Sequence, residues 1–155
     1  MKRPLAAFVA LMVAAGLAPA SAEEAVLVFA TTSPPASVNN ARMFHPWAAK
    51  VNEAGKGLVR IDVRDGAAIA NKDNFYDRVV NDVIQISFGT QKYVGQKFPR
   101  SEVVGLPFEA DKAEVGAVAF WRLYKTGLLD AEYDDVTPLY LAQLGQQNMH
   151  FPDRY

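Results

Sequence analysis

The chain has 155 residues, with 16 Lys+Arg against 17 Asp+Glu, two His and no Cys. Half of it is apolar and about a fifth charged, which excludes disorder, collagen and coiled coil as descriptions of the whole. Without cysteine there is no disulfide framework, zinc–thiolate site or thiol nucleophile, and a net charge of −1 gives no general attraction to nucleic acid.

Residues 1–22 have the pattern of a signal peptide. Lys2 and Arg3 precede an apolar run from Leu5 to Leu17, and Ala20-Ser21-Ala22 supplies small residues for cleavage. The run is too short to span a bilayer comfortably. Cleavage after Ala22 removes Lys2 and Arg3, leaving 133 residues with 14 basic against 17 acidic, a net charge of −3. The product is then exported and depends on core packing, since it has no cysteine to oxidise.

Ala25–Ala30 (AVLVFA) reads as a strand buried on both faces, ending in Thr31-Thr32-Ser33 before Pro34-Pro35 stops it. Asn39 or Asn40 is a candidate cap for a helix with a Phe44, Trp47, Ala48, Val51 stripe; Pro46 is irregular within it, and Gly55 and Gly57 end it. Leu58–Val63 alternates, with Val59, Ile61 and Val63 on the apolar side of a second strand, and Asp65-Gly66 turns the chain. Asn71 or Asp73 starts a short helix burying Phe75, Val79 and Val80. Val83–Phe88 is a third strand, followed by Gly89-Thr90. Gln91–Phe98 forms one or two helical turns, closed by Pro99. Val103–Phe108 reads as an extended linker. Asp111 with Glu114 makes a capping box for the longest helix, which packs through Val118, Trp121, Leu123 and Tyr124 and stops at Gly127. Val136–Leu144 is a last strand, and a polar tail follows. The order predicts an α/β domain whose sheet is largely parallel.

The chemistry of catalysis is missing. Only His45 and His150 could act as an imidazole base, and no GxSxG elbow surrounds a serine. His45, beside Pro46 and Trp47, reads as a packed or solvent-facing side chain. There is no GxxxxGK[ST] loop and no GxGxxG after a strand, and the clusters Asp62–Asp65 and Asp134-Asp135 lack calcium-loop spacing. No catalytic residue, metal or cofactor is assigned. What remains is the set of strand ends, because ligands of open α/β sheets bind at the carboxyl ends of the strands. Thr31-Thr32-Ser33, Gly89-Thr90-Gln91 and Gly145-Gln146-Gln147-Asn148 are rich in uncharged hydrogen-bonding groups, with Gly89 and Gly145 permitting close backbone approach.

The order of these pieces resembles the extracytoplasmic solute-binding proteins of TRAP transporters, the DctP-like family. The likeness rests on Gly57–Val63 (GLVRIDV), Asp82–Gly89 (DVIQISFG), Leu106-Pro107-Phe108 and the aromatic helix segment Phe120–Tyr124. The resemblance implies a periplasmic-binding-protein-like lobe, a largely parallel sheet flanked by helices. It also implies periplasmic capture of a small organic acid, a carboxylate, for TRAP membrane subunits driven by an ion gradient. Carried over by position, Thr31, Thr32, Thr90 and Gln147 line the first lobe's side of the cleft. Sialic-acid binders of the family carry charged groups where this chain has Thr90 and Gln147, which argues against that ligand. Members of the family continue further, through a second lobe and an arginine that pairs with the ligand; Arg154 does not fit that role. Residues 23–155 therefore read as an incomplete first lobe, expected to bind ligand weakly or not at all alone and to self-associate through an uncovered apolar face. The competing readings are a lobe of an ABC-type periplasmic binding protein and a small secreted hydrolase.

Overall fold

The structure is a computed structural model that describes residues 23–106, 110 and 112–143. The leader, Asp111 and the tail containing Gln147, His150 and Arg154 lie outside the described residues. Three parallel strands form a sheet in the order β2-β1-β3: β1 is Ala25–Thr31, β2 is Val59–Arg64 and β3 is Ile86–Phe88. Ala25 through Ala30 stand opposite Val59 through Arg64, and Phe29, Ala30 and Thr31 stand opposite Ile86, Ser87 and Phe88. Alternation along central β1 feeds two cores, as expected for a strand buried on both faces. Leu27 and Phe29 pack with Phe44, Ala48 and Ile61 on one side; Val28 and Ala30 pack with Ala70, Phe75 and Ile84 on the other. The α/β class and the parallel sheet are as the sequence predicts.

The first helix starts earlier than expected. Ser37, not Asn39 or Asn40, caps it: Ser37 Oγ accepts Asn40 N–H at 3.2 Å, and Ser37 O accepts Ala41 N–H at 2.9 Å. A π-helical turn, Asn40–Phe44, then runs into α1, His45–Ala54. The wide turn accommodates Pro46, which has no N–H to give Arg42 and whose ring would crowd that carbonyl in a regular helix. The outer edge of β2 is covered from α1, where Asn52 exchanges two hydrogen bonds with the Ile61 backbone at 2.6 and 3.0 Å.

Helix α2, Phe75–Val80, buries Phe75 and half-buries Val79, but Val80 is exposed. β3 is shorter than the predicted Val83–Phe88. Asp82 adopts a left-handed φ of 55°, Val83 is exposed, and Gln85 bonds Val28 both through its backbone N–H (3.1 Å) and through its side-chain oxygen (2.9 Å). A side chain here replaces a rung of the ladder. Gln91–Tyr93 is a helical turn, as expected. The segment read as an extended linker instead contains a 3₁₀ turn, Ser101–Gly105, before extended Leu106.

Helix α3, Ala113–Lys125, has Lys112 at its cap position without a side-chain cap, and it ends before Gly127 at φ 81°. It faces inward through Gly116 and Phe120, one turn apart, so Val118 lies on the opposite face and is exposed. Phe120 joins Phe98, Leu129, Tyr133 and Leu141 in a third core, with Trp121, Leu123 and Tyr124 against it. Tyr76 and Val94 pack against both this core and the one beneath β3. The expected strand over Val136–Leu144 does not form among the described residues. Pro138 lacks a donor, Leu141 is committed to the α3 core, and the Gln143 side chain occupies the space beside Gly116.

Asp135 ties this outer part to α2, accepting Tyr76 OH at 3.2 Å, while Lys97 donates to Asp134 and Asp135 at 2.8 Å each. The hydrogen bond from Lys97 holds the Asp135 carboxyl below the usual carboxylate range. A depressed folded-state pKa contributes stability above the unfolded value of about 3.9 and loses it as the pH falls through the folded value. Asp135→Asn should therefore lower the denaturation midpoint at neutral pH, and the difference should shrink as the pH drops from about 5 towards about 2. For the core, Ile84→Ala, at a fully buried position, should cost about 3 kcal/mol in urea unfolding. Exposed Val83→Ala should change stability by less than about 0.5 kcal/mol.

Candidate functional site

Because all three strands are parallel, their carboxyl ends lie along one edge of the sheet, with Thr31 level with Phe88 and Ala30 level with Arg64. The loops that leave this edge are cross-braced. Ser33 O accepts Gly66 N–H at 2.9 Å, Asn40 Nδ2 at 3.0 Å and Thr31 Oγ1 at 3.4 Å. Asn40 Nδ2 also donates to Pro34 O at 3.0 Å, and its Oδ1 is buried without a protein partner. One asparagine thus fixes the Pro-containing loop after β1 to the first helix.

Asp65, on the turn after β2, completes the brace. Its Oδ1 accepts Thr31 Oγ1 at 3.4 Å and its Oδ2 lies 2.8 Å from His45 Nε2. His45 faces solvent, one of the two expected alternatives, and from there it bonds a largely buried carboxylate.

The structure places three of the four sequence-predicted site residues on this edge. Thr31 is fully buried with its hydroxyl bonded internally, while Thr32 and Thr90 are half-buried. Gln147 lies outside the described residues. Gly89 does mark a close approach, but the group that approaches is the Phe75 ring, which a Cβ at Gly89 would strike. Sequence reasoning missed Asn40, Asp65 and His45 as partners. The available signals were a polar residue just inside a helix that follows a Pro-Pro loop, and an Asp-Gly turn at a strand end.

A small concavity of about 150 Å³ lies beside the β3 exit, lined by Lys72, Asp73, Phe75, Tyr76, Tyr93 and others. Lys72 pairs with Asp73 at 2.6 Å. No group of three or more metal-ligating side chains occurs among the described residues.

No protein-family model and no curated protein matches the chain. Solved structures do. The fold aligns with a TRAP solute-binding protein from Rhodoferax ferrireducens in complex with copurified benzoate, at 28% identity and a TM-score of 0.69, over 76% of this chain and 36% of that one. The chain carries part of a TRAP solute-binding protein fold. A marine-metagenome TRAP protein specific for aromatic acid ligands, in complex with metahydroxyphenylacetate, matches at 25% identity and a TM-score of 0.70 over 77% of this chain and 37% of that one. A TRAP periplasmic protein from Bordetella bronchiseptica with bound mandelate matches at 25% identity and a TM-score of 0.61, over 69% and 34%. The chain thus spans about a third of the length of these TRAP proteins, which are solute-binding proteins rather than enzymes.

The bracing of this edge is open to test. Asn40→Ala leaves the Pro34 carbonyl without its side-chain donor, and should cost about 1–3 kcal/mol in urea unfolding. It should also speed proteolysis between Ser33 and Ser37, read by mass spectrometry of the fragments.

Proposed function

We propose that this chain is the solute-capturing part of a TRAP-type transporter, exported to the periplasm by removal of residues 1–22 and holding a small organic acid at the carboxyl ends of its strands. The alignment with a benzoate-bound TRAP protein at a TM-score of 0.69 carries the reading. Thr32 and Thr90 offer hydroxyls at the edge, Thr31 ends the strand beneath the loop, and Gln147 is assigned with them from its sequence position alone. Uncharged donors of this kind suit a carboxylate that takes its counter-charge from elsewhere. The relatives' ligands favour an aromatic monocarboxylate over a dicarboxylate. Membrane subunits of the TRAP class would receive the solute.

A panel of benzoate, 3-hydroxybenzoate, mandelate and succinate, titrated into the full chain and followed by amide chemical shifts, tests this. Saturable shifts centred on Thr32 and Thr90, with dissociation constants on the order of 1 mM, are expected because an open edge screens the ligand's charge. Thr90→Val should abolish them. No saturable shift with any acid would overturn the proposal.

A further inference from the structure

A buried polar chain runs from the outer part of the molecule to the β3 rim. Glu132 is 5% exposed and has no cationic partner in its hydrogen-bond set; its carboxylate accepts Arg100 N–H at 2.5 Å, Ser101 N–H at 3.0 Å and Ser101 Oγ at 2.7 Å. These backbone donors belong to the open start of the 3₁₀ turn Ser101–Gly105, and they satisfy a charge that would otherwise be costly to bury. Since the Ser101 hydroxyl proton goes to Glu132, the 3.1 Å contact between Ser101 Oγ and Tyr133 OH must take its proton from the tyrosine. That leaves the Tyr133 oxygen as an acceptor, and Gln91 Nε2 donates to it.

Every link has one direction, set by the carboxylate. The phenol is itself held by edge and tilted contacts to Tyr124 and Phe98, with ring centroids 5.4 and 5.1 Å away. Burial raises the phenol's pKa, which keeps it a donor.

The open end of this chain is Gln91, next to Thr90. Past Phe88 the β1–β3 pairing ends, and the rim's own loop bonds are local, Tyr93 N–H to Thr90 O at 3.0 Å and Val94 N–H to Gln91 O at 2.8 Å. The geometry points to Tyr133, backed by Ser101 and Glu132, as a positioning residue that sets the Thr90–Gln91 rim of the solute crevice. This rests on the crevice reading for its purpose but not for its physics.

Amide exchange on the full chain separates the two. In Tyr133→Phe and in Gln91→Met, the Tyr93 and Val94 amides should exchange about five- to tenfold faster, the loss of one net hydrogen bond. The double variant should be no faster than either single one, because both cut the same bond. Amides of β1 should be unchanged. Gln91 is only half-buried, so its variant keeps the test available if Tyr133→Phe fails to fold. Unchanged exchange at Tyr93 and Val94 in Gln91→Met, or additive effects in the double variant, would overturn the assignment. Benzoate titration into the wild type is the separate arm: no binding alongside a loosened rim would remove the crevice reading and leave the positioning role standing.

Discussion

β1 is paired on both edges and packed on both faces, and this double enclosure organises the rest of the molecule. Where it is enclosed, from Leu27 to Ala30, the strand is apolar, and AVLVFA leaves no polar side chain until Thr31. The first hydroxyl therefore appears where the ladder to β3 ends and where the chain must turn out of the sheet. Parallel neighbours bring their own exits to the same edge, so Asp65, distant in sequence, meets Thr31 at the β1 exit, and Thr90 leaves β3 at the same edge. The edge itself is a product of topology; the residues there refine what strand direction has already placed.

The elements with strong periodicity were legible from residues alone. Phe29, Ile61 and Phe75 are core positions in both readings, and Gly127 stops α3 as its place after an aromatic helix suggests. Three of the departures share a physical cause, side-chain hydrogen bonds to the backbone. Gln85 takes a rung that period-two alternation assigns to a longer β3, and Glu132 caps, from about thirty residues away, a 3₁₀ turn that runs into the segment whose Gly and Pro predict an extended linker. Ser37 displaced Asn39 and Asn40 as the helix cap because Asn40 is consumed by the loop carbonyls. Long-range polar pairing leaves no periodic trace, so a window along the chain cannot find it.

The two cores astride β1 and the third around Phe120 differ in how they are joined. The first two share a strand, whereas the third meets the Phe75 core through Tyr76 and Val94 and through polar links from Tyr76 to Asp135 and from Gln91 to Tyr133. Polar links of this kind give a defined geometry with less adhesive strength than burial supplies. The outer cluster is thus oriented on the sheet more than it is fused to it.

The capping of Ser101 by Glu132 also has a consequence for the order in which the chain takes shape as it emerges. Everything in the sheet and its two cores lies before residue 100, so the strands have their pairing partners and both cores their apolar residues once that much chain is available. The 3₁₀ turn does not: its amides stay open to water until the carboxylate that closes them has been made, with α3 in between. A scaffold of strands can therefore form ahead of its own rim, and Tyr133, made later, adds the hydrogen bond from Gln91 that joins this rim to the outer core.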